Sequence, residues 1–132
     1  MPALTHSLRH LLLFQRLRRN MTTKSNAMEW LVILPDLPGK QEARMAVRPQ
    51  HIEDLKKDHE KGFWKMGEGA YLEDVPKGSE DLKIQGSAVI ACAESREEVI
   101  EKLKKDVYAE AGVWDFSKVQ IYPFKCAVRT AV

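Results

Sequence analysis

The chain has 132 residues, of which 44% are hydrophobic and 30% are charged, so it can bury one core but is too short for two ordinary domains. Its net charge of +2 hides an asymmetry, because residues 1–28 carry five basic side chains and no acidic one, whereas residues 29–132 hold 16 basic and 19 acidic side chains. A mildly acidic domain lacks the basic stripe that proteins binding DNA or RNA present, and we therefore predict no nucleic-acid partner.

The N-terminal segment, residues 1–27, is rich in arginine and carries leucines at helical spacing, including Leu8, Leu11 and Leu12. An acid-free, arginine-rich segment with an apolar helical face is typical of a mitochondrial transit peptide. The apolar run at residues 11–14 is too short to span a membrane, so we predict no membrane association.

The sequence therefore predicts two parts, a leader at residues 1–27 and one domain at residues 28–132. We expect the domain in the mitochondrial matrix if the leader is used. An alternative is that translation starts at Met21 or Met28. The domain is then expected in the cytoplasm.

Hydrophobic runs and turn residues predict the elements of the first half of the domain. The apolar run at residues 30–34, followed by a proline-rich loop, indicates a strand. A helix is predicted over residues 48–63, because Pro49 suits a first helical turn, where its missing N–H has no intrahelical partner. Residues 66–72 indicate a second strand, in which two glycines permit a bulge.

The second half of the domain repeats the pattern. Residues 82–93 indicate a third strand, and Ser95 with Glu98 has the Ser-x-x-Glu spacing of a capping box that opens a second helix. Residues 107–114 form a short helical turn or an ordered loop, and residues 119–127 are the last strand. The order β-α-β-β-α-β is the ferredoxin-like pattern of the α+β class, in which two helices cover one face of an antiparallel sheet.

Both faces of the predicted sheet are apolar. In the first strand Val32 and Leu34 alternate with Leu31 and Ile33, so neither side is polar. Two helices cover only one face, and an exposed apolar sheet face marks an interface. We therefore predict a homodimer in which two sheets pack face to face. The alternative is that loops of the same chain shield the second face.

Six short motifs, taken together, resemble a known family. They are, in chain order, Arg48-Pro49-x-His51, Gly67-x-Gly69, Gly86-Ser87, Ser95-x-Glu97-Glu98, Asp106-Val107-Tyr108 and the closing strand at residues 119–125. Their order and spacing over residues 29–129 resemble the YCII-related family of small dimeric α/β barrel proteins. This resemblance implies a ferredoxin-like fold and a dimeric barrel. In many relatives a proline follows the acid, where this chain has Val107.

His51 and Asp106 are the candidate catalytic residues. His51 lies in the first turn of its predicted helix, where the helix dipole disfavours imidazolium and leaves a neutral ring able to accept a proton. Asp106 lies near the end of the second predicted helix, where the dipole disfavours a carboxylate and a partner is expected. In this layout the first helix begins and the second helix ends beside the sheet edge. We therefore expect both side chains to border one pocket, as an acid/base pair. The structural alternatives are a helix-flank histidine and a turn-forming aspartate.

Four further residues are candidates for substrate binding. Arg48 can hold a carboxylate through its planar guanidinium group. Tyr108 and Trp114 can line an apolar pocket, and Ser87 lies on the third predicted strand. The alternatives are a surface arginine, aromatic packing anchors and an ordinary strand serine.

The sequence carries no CxxC, HExxH or P-loop motif. Cys92 and Cys126 lie in apolar strand-like segments, which is typical of buried thiols and not of a disulfide framework. We therefore predict no metal and no cofactor.

Two functions of different classes follow. The first is a lyase or isomerase acting on a small cyclic, aromatic or lactone-like compound, with His51 as general base and Asp106 as the orienting or acid group. The second is a non-catalytic dimer that binds a small organic ligand. A cofactor-free or haem-linked oxygenase is a third, because other dimeric α/β barrels carry out such chemistry.

Overall fold

The computed structural model describes residues 26–78 and 82–130 of the chain. The predicted leader, apart from its last two residues, lies outside these ranges. The leader, and the localisation that depends on it, therefore stay predictions.

The described residues form a four-stranded antiparallel sheet. Its strands are β1 (Met28–Pro35), β2 (Trp64–Leu72), β3 (Ile84–Ala93) and β4 (Gln120–Phe124), in the spatial order β2-β3-β1-β4. β1 and β3 are the central pair, in register from Met28 opposite Ala93 to Pro35 opposite Gly86. All four predicted strands are present with shifted ends. The last strand is shorter than predicted, because β4 stops before Cys126.

Three helices and one 3-10 turn connect the strands within the described ranges. They are α1 (Gln41–Glu60), α2 (Arg96–Lys104), α3 (Val107–Glu110) and the turn Phe116–Lys118. The ferredoxin-like β-α-β-β-α-β order is therefore confirmed, with α3 as a short addition after α2. No helix in the described part of the chain is long and apolar enough to cross a membrane.

The capping box of α2 is present in a modified form. Ser95 Oγ accepts a hydrogen bond from the Glu98 N–H at 3.1 Å, as the spacing predicts. The Glu98 carboxylate accepts from the N–H of Glu94 at 2.9 Å, one residue before the N-cap. The side chains at both positions therefore still satisfy backbone donors around the start of the helix.

The predicted start of the first helix is wrong. α1 begins at Gln41, and Pro49 lies inside it. Residues 41–48 are mostly strong helix formers, which extend the helix N-terminal to the proline. Proline lacks the N–H that would bond the Met45 carbonyl, but both residues are exposed, so water can satisfy this carbonyl. The other end is set by Gly62, which follows the C-cap Lys61 and has a positive φ of 80°.

The apolar core lies between one sheet face and the helices. Val32 and Leu34 of β1 are each 1% exposed, and they belong to one buried cluster with Val99 and Leu103 of α2. Complete burial of such a side chain contributes about 1.5–3 kcal/mol, so this cluster anchors α2 to the sheet.

α1 turns a polar stripe toward this core. Its buried residues are Arg44 and His51, about two helical turns apart and therefore on one face. Val47 and Leu55, which are partly buried, share that face. Because a buried charge is costly unless it is paired, this stripe requires partners on the strands and loops opposite.

The other sheet face is more covered within one chain than the strand pattern predicts. It carries Leu31 and Ile33, which lie opposite Ile90 and Ala88 of β3. Ile90 is only 4% exposed within one chain, whereas Leu31 and Ile33 are half-buried. Tyr122 of β4, opposite Leu31, is 49% exposed. The predicted homodimer would bury this remaining surface, and it stays a prediction.

Candidate functional site

The structure brings His51 and Asp106 together. Nδ1 of His51 on α1 lies 2.8 Å from Oδ1 of Asp106, which immediately precedes α3. The two side chains are 3% and 11% exposed, respectively. Water therefore competes little for this contact, and the interaction is stronger than an ion pair at the surface.

The backbone of α3 holds Asp106 in place. Its Oδ1 accepts a hydrogen bond from the N–H of Tyr108 at 2.8 Å, which makes Asp106 the N-cap of the helix. Asp106 follows the C-cap of α2, as expected, but it is also the N-cap of α3, and a carboxylate is favoured at the start of a helix. Val107, which stands where many relatives have proline, is the first residue of α3. Proline also suits that position, so the substitution is compatible with the same cap.

A second carboxylate approaches the other nitrogen of His51. Oε1 of Glu68 lies 3.0 Å from Nε2, and the Glu68 side chain is 3% exposed. Glu68 belongs to β2, where the register with β3 shifts between Met66 and Gly69. The predicted bulge is therefore present, and Glu68 lies within it. Although the distance is that of an ion pair, neither Glu68 oxygen accepts a well-aligned hydrogen bond from the described residues.

Burial and charge act in opposite directions on the pKa of His51. Burial lowers the pKa, whereas the hydrogen bond to Asp106 and the interaction with Glu68 raise it. The carboxylates prevail, and the pKa rises from 6.5 to about 9. The prediction of a neutral ring is wrong, because His51 lies in the middle of α1 between two acids. At neutral pH His51 is therefore a proton donor, and it becomes a base only after it has given up its proton.

Two aromatic rings enclose the imidazole. Tyr108 stacks on His51 with ring centroids 3.7 Å apart and planes inclined by 20°. Trp114 meets both rings edge-on, with centroid distances of 6.0 Å to His51 and 5.5 Å to Tyr108. Tyr108 and Trp114 are 2% and 4% exposed. Both predicted aromatic residues thus pack against His51 and restrict its ring orientation.

Arg44 forms the second half of the buried polar stripe. Its Nη1 donates to both carboxylate oxygens of Asp36 at 3.1 and 3.2 Å, and its Nη2 donates to Ser87 Oγ at 2.7 Å. Ser87 Oγ also accepts from Trp114 Nε1 at 3.1 Å. The guanidinium carbon lies 4.6 Å from the centre of the Tyr108 ring. Burial raises the pKa of the Asp36 carboxyl, and the positive charge of Arg44 partly offsets this effect.

Five of the six candidate residues therefore lie in one buried cluster. These are His51, Asp106, Ser87, Tyr108 and Trp114. Arg48 is exposed on α1, outside the cluster. Sequence reasoning missed three members, Arg44, Asp36 and Glu68. The only signal for Arg44 is its spacing of two helical turns from His51, which appears once α1 is known to begin at Gln41.

The cluster has the residue types of a metal site but not a suitable arrangement. One ligand atom from each of His51, Glu68 and Asp106 lies within 4.8 Å of the others. However, the carboxylates contact opposite nitrogens of the ring, and those nitrogens point away from each other. A single ion can bind only one of them. The geometry therefore favours an imidazolium between two carboxylates.

Two cavities border the ends of the cluster. A cavity of about 430 Å³ lies between α1 and β2, and Glu68, Trp64, Ile52 and Leu55 are among its lining residues. A second cavity of about 530 Å³ borders Asp36 near the start of α1. Both volumes are in the range that accommodates a small organic ligand.

Comparison with known proteins agrees with this architecture. "Fusaric acid biosynthesis protein 2" of Gibberella fujikuroi is 36% identical over 100 residues, which cover 74% of this chain and 92% of that protein. "Aspartate kinase FUB3" of Fusarium oxysporum is 35% identical over 99 residues, which are 75% of this chain but only 18% of the relative. The chain therefore corresponds to a small part of that longer protein.

A solved structure shares the fold. It is the 5-chloro-2-hydroxyhydroquinone dehydrochlorinase of Burkholderia phenoliruptrix in complex with 2,5-dihydroxybenzoquinone. The TM-score is 0.61 at 26% identity, and the match covers 74% of this chain and 94% of the other. Residues 28–125 match the YCII-related domain. The chain belongs to the YCII-related family.

Proposed function

We propose that this chain is a lyase or isomerase that moves a proton on a small cyclic, aromatic or lactone-like compound. His51 and Asp106 are its acid–base pair. The observation that carries this proposal is the buried contact of 2.8 Å between His51 Nδ1 and Asp106 Oδ1. The Asp106 carboxylate on Nδ1 fixes the ring, and Nε2, which faces Glu68, is the nitrogen that exchanges a proton.

The order of the proton transfers follows from the charge of His51. The imidazolium first donates the proton on Nε2, and Asp106 stabilises the charged ring before this step. The neutral ring then takes a proton from another atom of the substrate and returns to its starting state. General acid–base catalysis of this kind contributes about 10²–10⁴-fold to a rate.

The relatives support a small hydroxylated ring as substrate. The structural neighbour is named as a dehydrochlorinase of a hydroxyhydroquinone, and it was solved with a dihydroxybenzoquinone. Relatives such as "Fusaric acid biosynthesis protein 2" are named for the biosynthesis of a small molecule. A proton shift on an enolic or phenolic ring is chemistry that a His–Asp pair can perform.

The test begins with the compound that the native protein carries. Native mass spectrometry of the protein from its own cell identifies that compound, and the compound is then incubated with wild-type protein, His51→Gln and Asp106→Asn. We expect wild-type protein to convert it and both variants to lose most of the turnover. Recovery of the unaltered compound from wild-type protein, with normal binding, would contradict catalysis.

That contrary result would favour the second candidate, a non-catalytic ligand-binding protein. One observation supports this alternative. Arg44, Ser87 and Trp114 direct their polar groups at one another and at Asp36, so this half of the cluster is satisfied within the protein and needs no catalytic role.

We also propose that the chain forms a homodimer through the sheet face that carries Leu31 and Ile33. These side chains are half-buried in one chain, and Tyr122 beside them is 49% exposed. Packing two such faces together would bury apolar surface that a monomer leaves in water.

We further propose that residues 1–27 direct the protein to the mitochondrial matrix. Their excess of arginine over acid supports this proposal. Fusion of these residues to a fluorescent reporter tests it, because a reporter that stays in the cytoplasm would contradict it.

A further inference from the structure

Glu68 is the least satisfied charged group in the described part of the cluster. Both carboxylate oxygens are buried; Oε1 faces His51 Nε2 at 3.0 Å without good hydrogen-bond alignment, and Oε2 has no donor among the described residues. Leaving a buried polar group without a hydrogen bond costs about 1–3 kcal/mol, and a charged group costs more. An exception of this kind in a folded protein requires an explanation, such as a catalytic role or a missing partner.

Glu68 connects the cluster to the cavity between α1 and β2. It lines this cavity of about 430 Å³, whereas His51 and Asp106 are not among the lining residues. Oε1 of Glu68 lies 3.0 Å from Nε2 of His51. A ligand in this cavity therefore meets the acid–base cluster at Glu68.

The same cavity contains a second unsatisfied group. Trp64 lines it, and the buried Nε1–H of Trp64 has no acceptor among the described residues. Ile52 and Leu55 of α1 add apolar walls. The walls of the cavity thus combine an apolar surface with a buried acceptor and a buried donor on two of the lining residues, a combination that can orient a small ring compound.

We propose that Glu68 is a further catalytic residue, which contacts the ligand in this cavity and carries a proton between the ligand and Nε2 of His51. The inference rests on the acid–base function proposed above. The ligand class is an uncharged ring compound with a hydroxyl group that donates to Glu68 and a second oxygen that accepts from Trp64 Nε1. Two acids, Glu60 and Glu68, and one lysine, Lys56, line the cavity, so the balance of charge disfavours an anionic ligand.

The proton balance closes within the site. His51 passes the Nε2 proton to Glu68, and the resulting carboxylic acid protonates one atom of the ligand. Glu68 then takes a proton from a different ligand atom and returns it to Nε2. The ligand is isomerised without an oxidant or a reductant, while Asp106 keeps its contact with Nδ1.

The test measures proton exchange on a defined probe. Full-length protein is incubated under argon in heavy water with 2-hydroxyhydroquinone, the ring system in the name of the neighbour's substrate, and proton NMR follows loss of its ring hydrogens. The variants are Glu68→Gln, Glu68→Asp and Glu53→Gln. Glu53 is exposed on α1 and controls for the loss of one negative charge.

We expect wild-type protein and Glu53→Gln to accelerate the exchange equally. Glu68→Gln should slow the catalysed exchange by roughly 100-fold or more, and Glu68→Asp should recover part of it, because aspartate retains the carboxylate. The probe should also shift the Trp64 indole N–H signal. If Glu68→Gln does not fold, an unshifted Trp64 signal at saturating probe overturns the proposal.

Two results separate the failure of this inference from the failure of the proposed function. If Glu68→Gln exchanges at the wild-type rate while His51→Gln and Asp106→Asn lose exchange, the role of Glu68 is overturned and the acid–base function stands. If wild-type protein does not accelerate exchange, the acid–base function fails on this ring class, and the role of Glu68 fails with it.

Discussion

Replacing His51 with glutamine should remove a defined part of the pH dependence of folding. The pKa of His51 is raised from 6.5 to about 9 in the folded protein. A group with a raised folded pKa stabilises the native state fully below its unfolded pKa, and this contribution is lost as the pH rises through the folded value. A shift of about 2.5 pH units corresponds to about 3 kcal/mol. This stabilisation by His51 should therefore be lost between about pH 6.5 and pH 9.

Urea unfolding of wild-type protein and His51→Gln, followed by circular dichroism, measures this contribution. Subtracting the two pH profiles removes the titration of groups that both proteins share. The stability advantage of wild type should shrink by about 3 kcal/mol between about pH 6 and pH 9.5. The difference between the urea midpoints of the two proteins should therefore shrink by about 1–3 M over this range. An advantage that stays constant across this range would refute the arrangement of an imidazolium between two carboxylates.

Three further predictions concern other contacts. Arg44→Met leaves Asp36 as an unpaired buried carboxylate and should lower the free energy of unfolding by about 3–5 kcal/mol at neutral pH, measured with urea. A loss below about 1 kcal/mol would contradict the ion pair between Arg44 and Asp36. Gly86→Ala places a Cβ 2.5 Å from a backbone oxygen of β1. The free energy of unfolding should therefore fall by about 1–3 kcal/mol, which lowers the melting temperature. An unchanged melting temperature would count against this close approach. Leu31→Asp should convert the proposed dimer to a monomer in light scattering. The control variant Val75→Asp, at a residue that is 80% exposed, should not. A wild-type monomer would refute the proposed dimer.

The strands could be predicted because apolar runs bounded by turn residues leave a clear signal. The predicted strands at residues 30–34 and 82–93 correspond to the two central strands, β1 and β3, and only their ends differ from the structure. The start of α1 could not be found in this way, because Pro49 imitates a helix N-terminus and its exposed position tolerates the missing hydrogen bond. This single error changed the expected charge of His51, because it assigned the residue to the first turn of the helix.

The candidate site was predicted in part for a similar reason. The resemblance pointed to His51 and Asp106, and their contact depends on the tertiary arrangement of α1 and α3. Glu68 carries no sequence signal, because a glutamate between two glycines on a strand is ordinarily exposed. Its burial follows from the bulge in β2, whose register the sequence does not specify.

The central claim is that His51 and Asp106 act as one unit in proton transfer. A double-mutant cycle in the deuterium-exchange assay tests it most directly, with wild-type protein, His51→Gln, Asp106→Asn and the double variant. We predict that each single variant loses most of the catalysed exchange and that the double variant loses little more than His51→Gln alone, because residues that act together give non-additive losses. Losses that multiply independently, or single variants that retain the wild-type rate, would contradict the account.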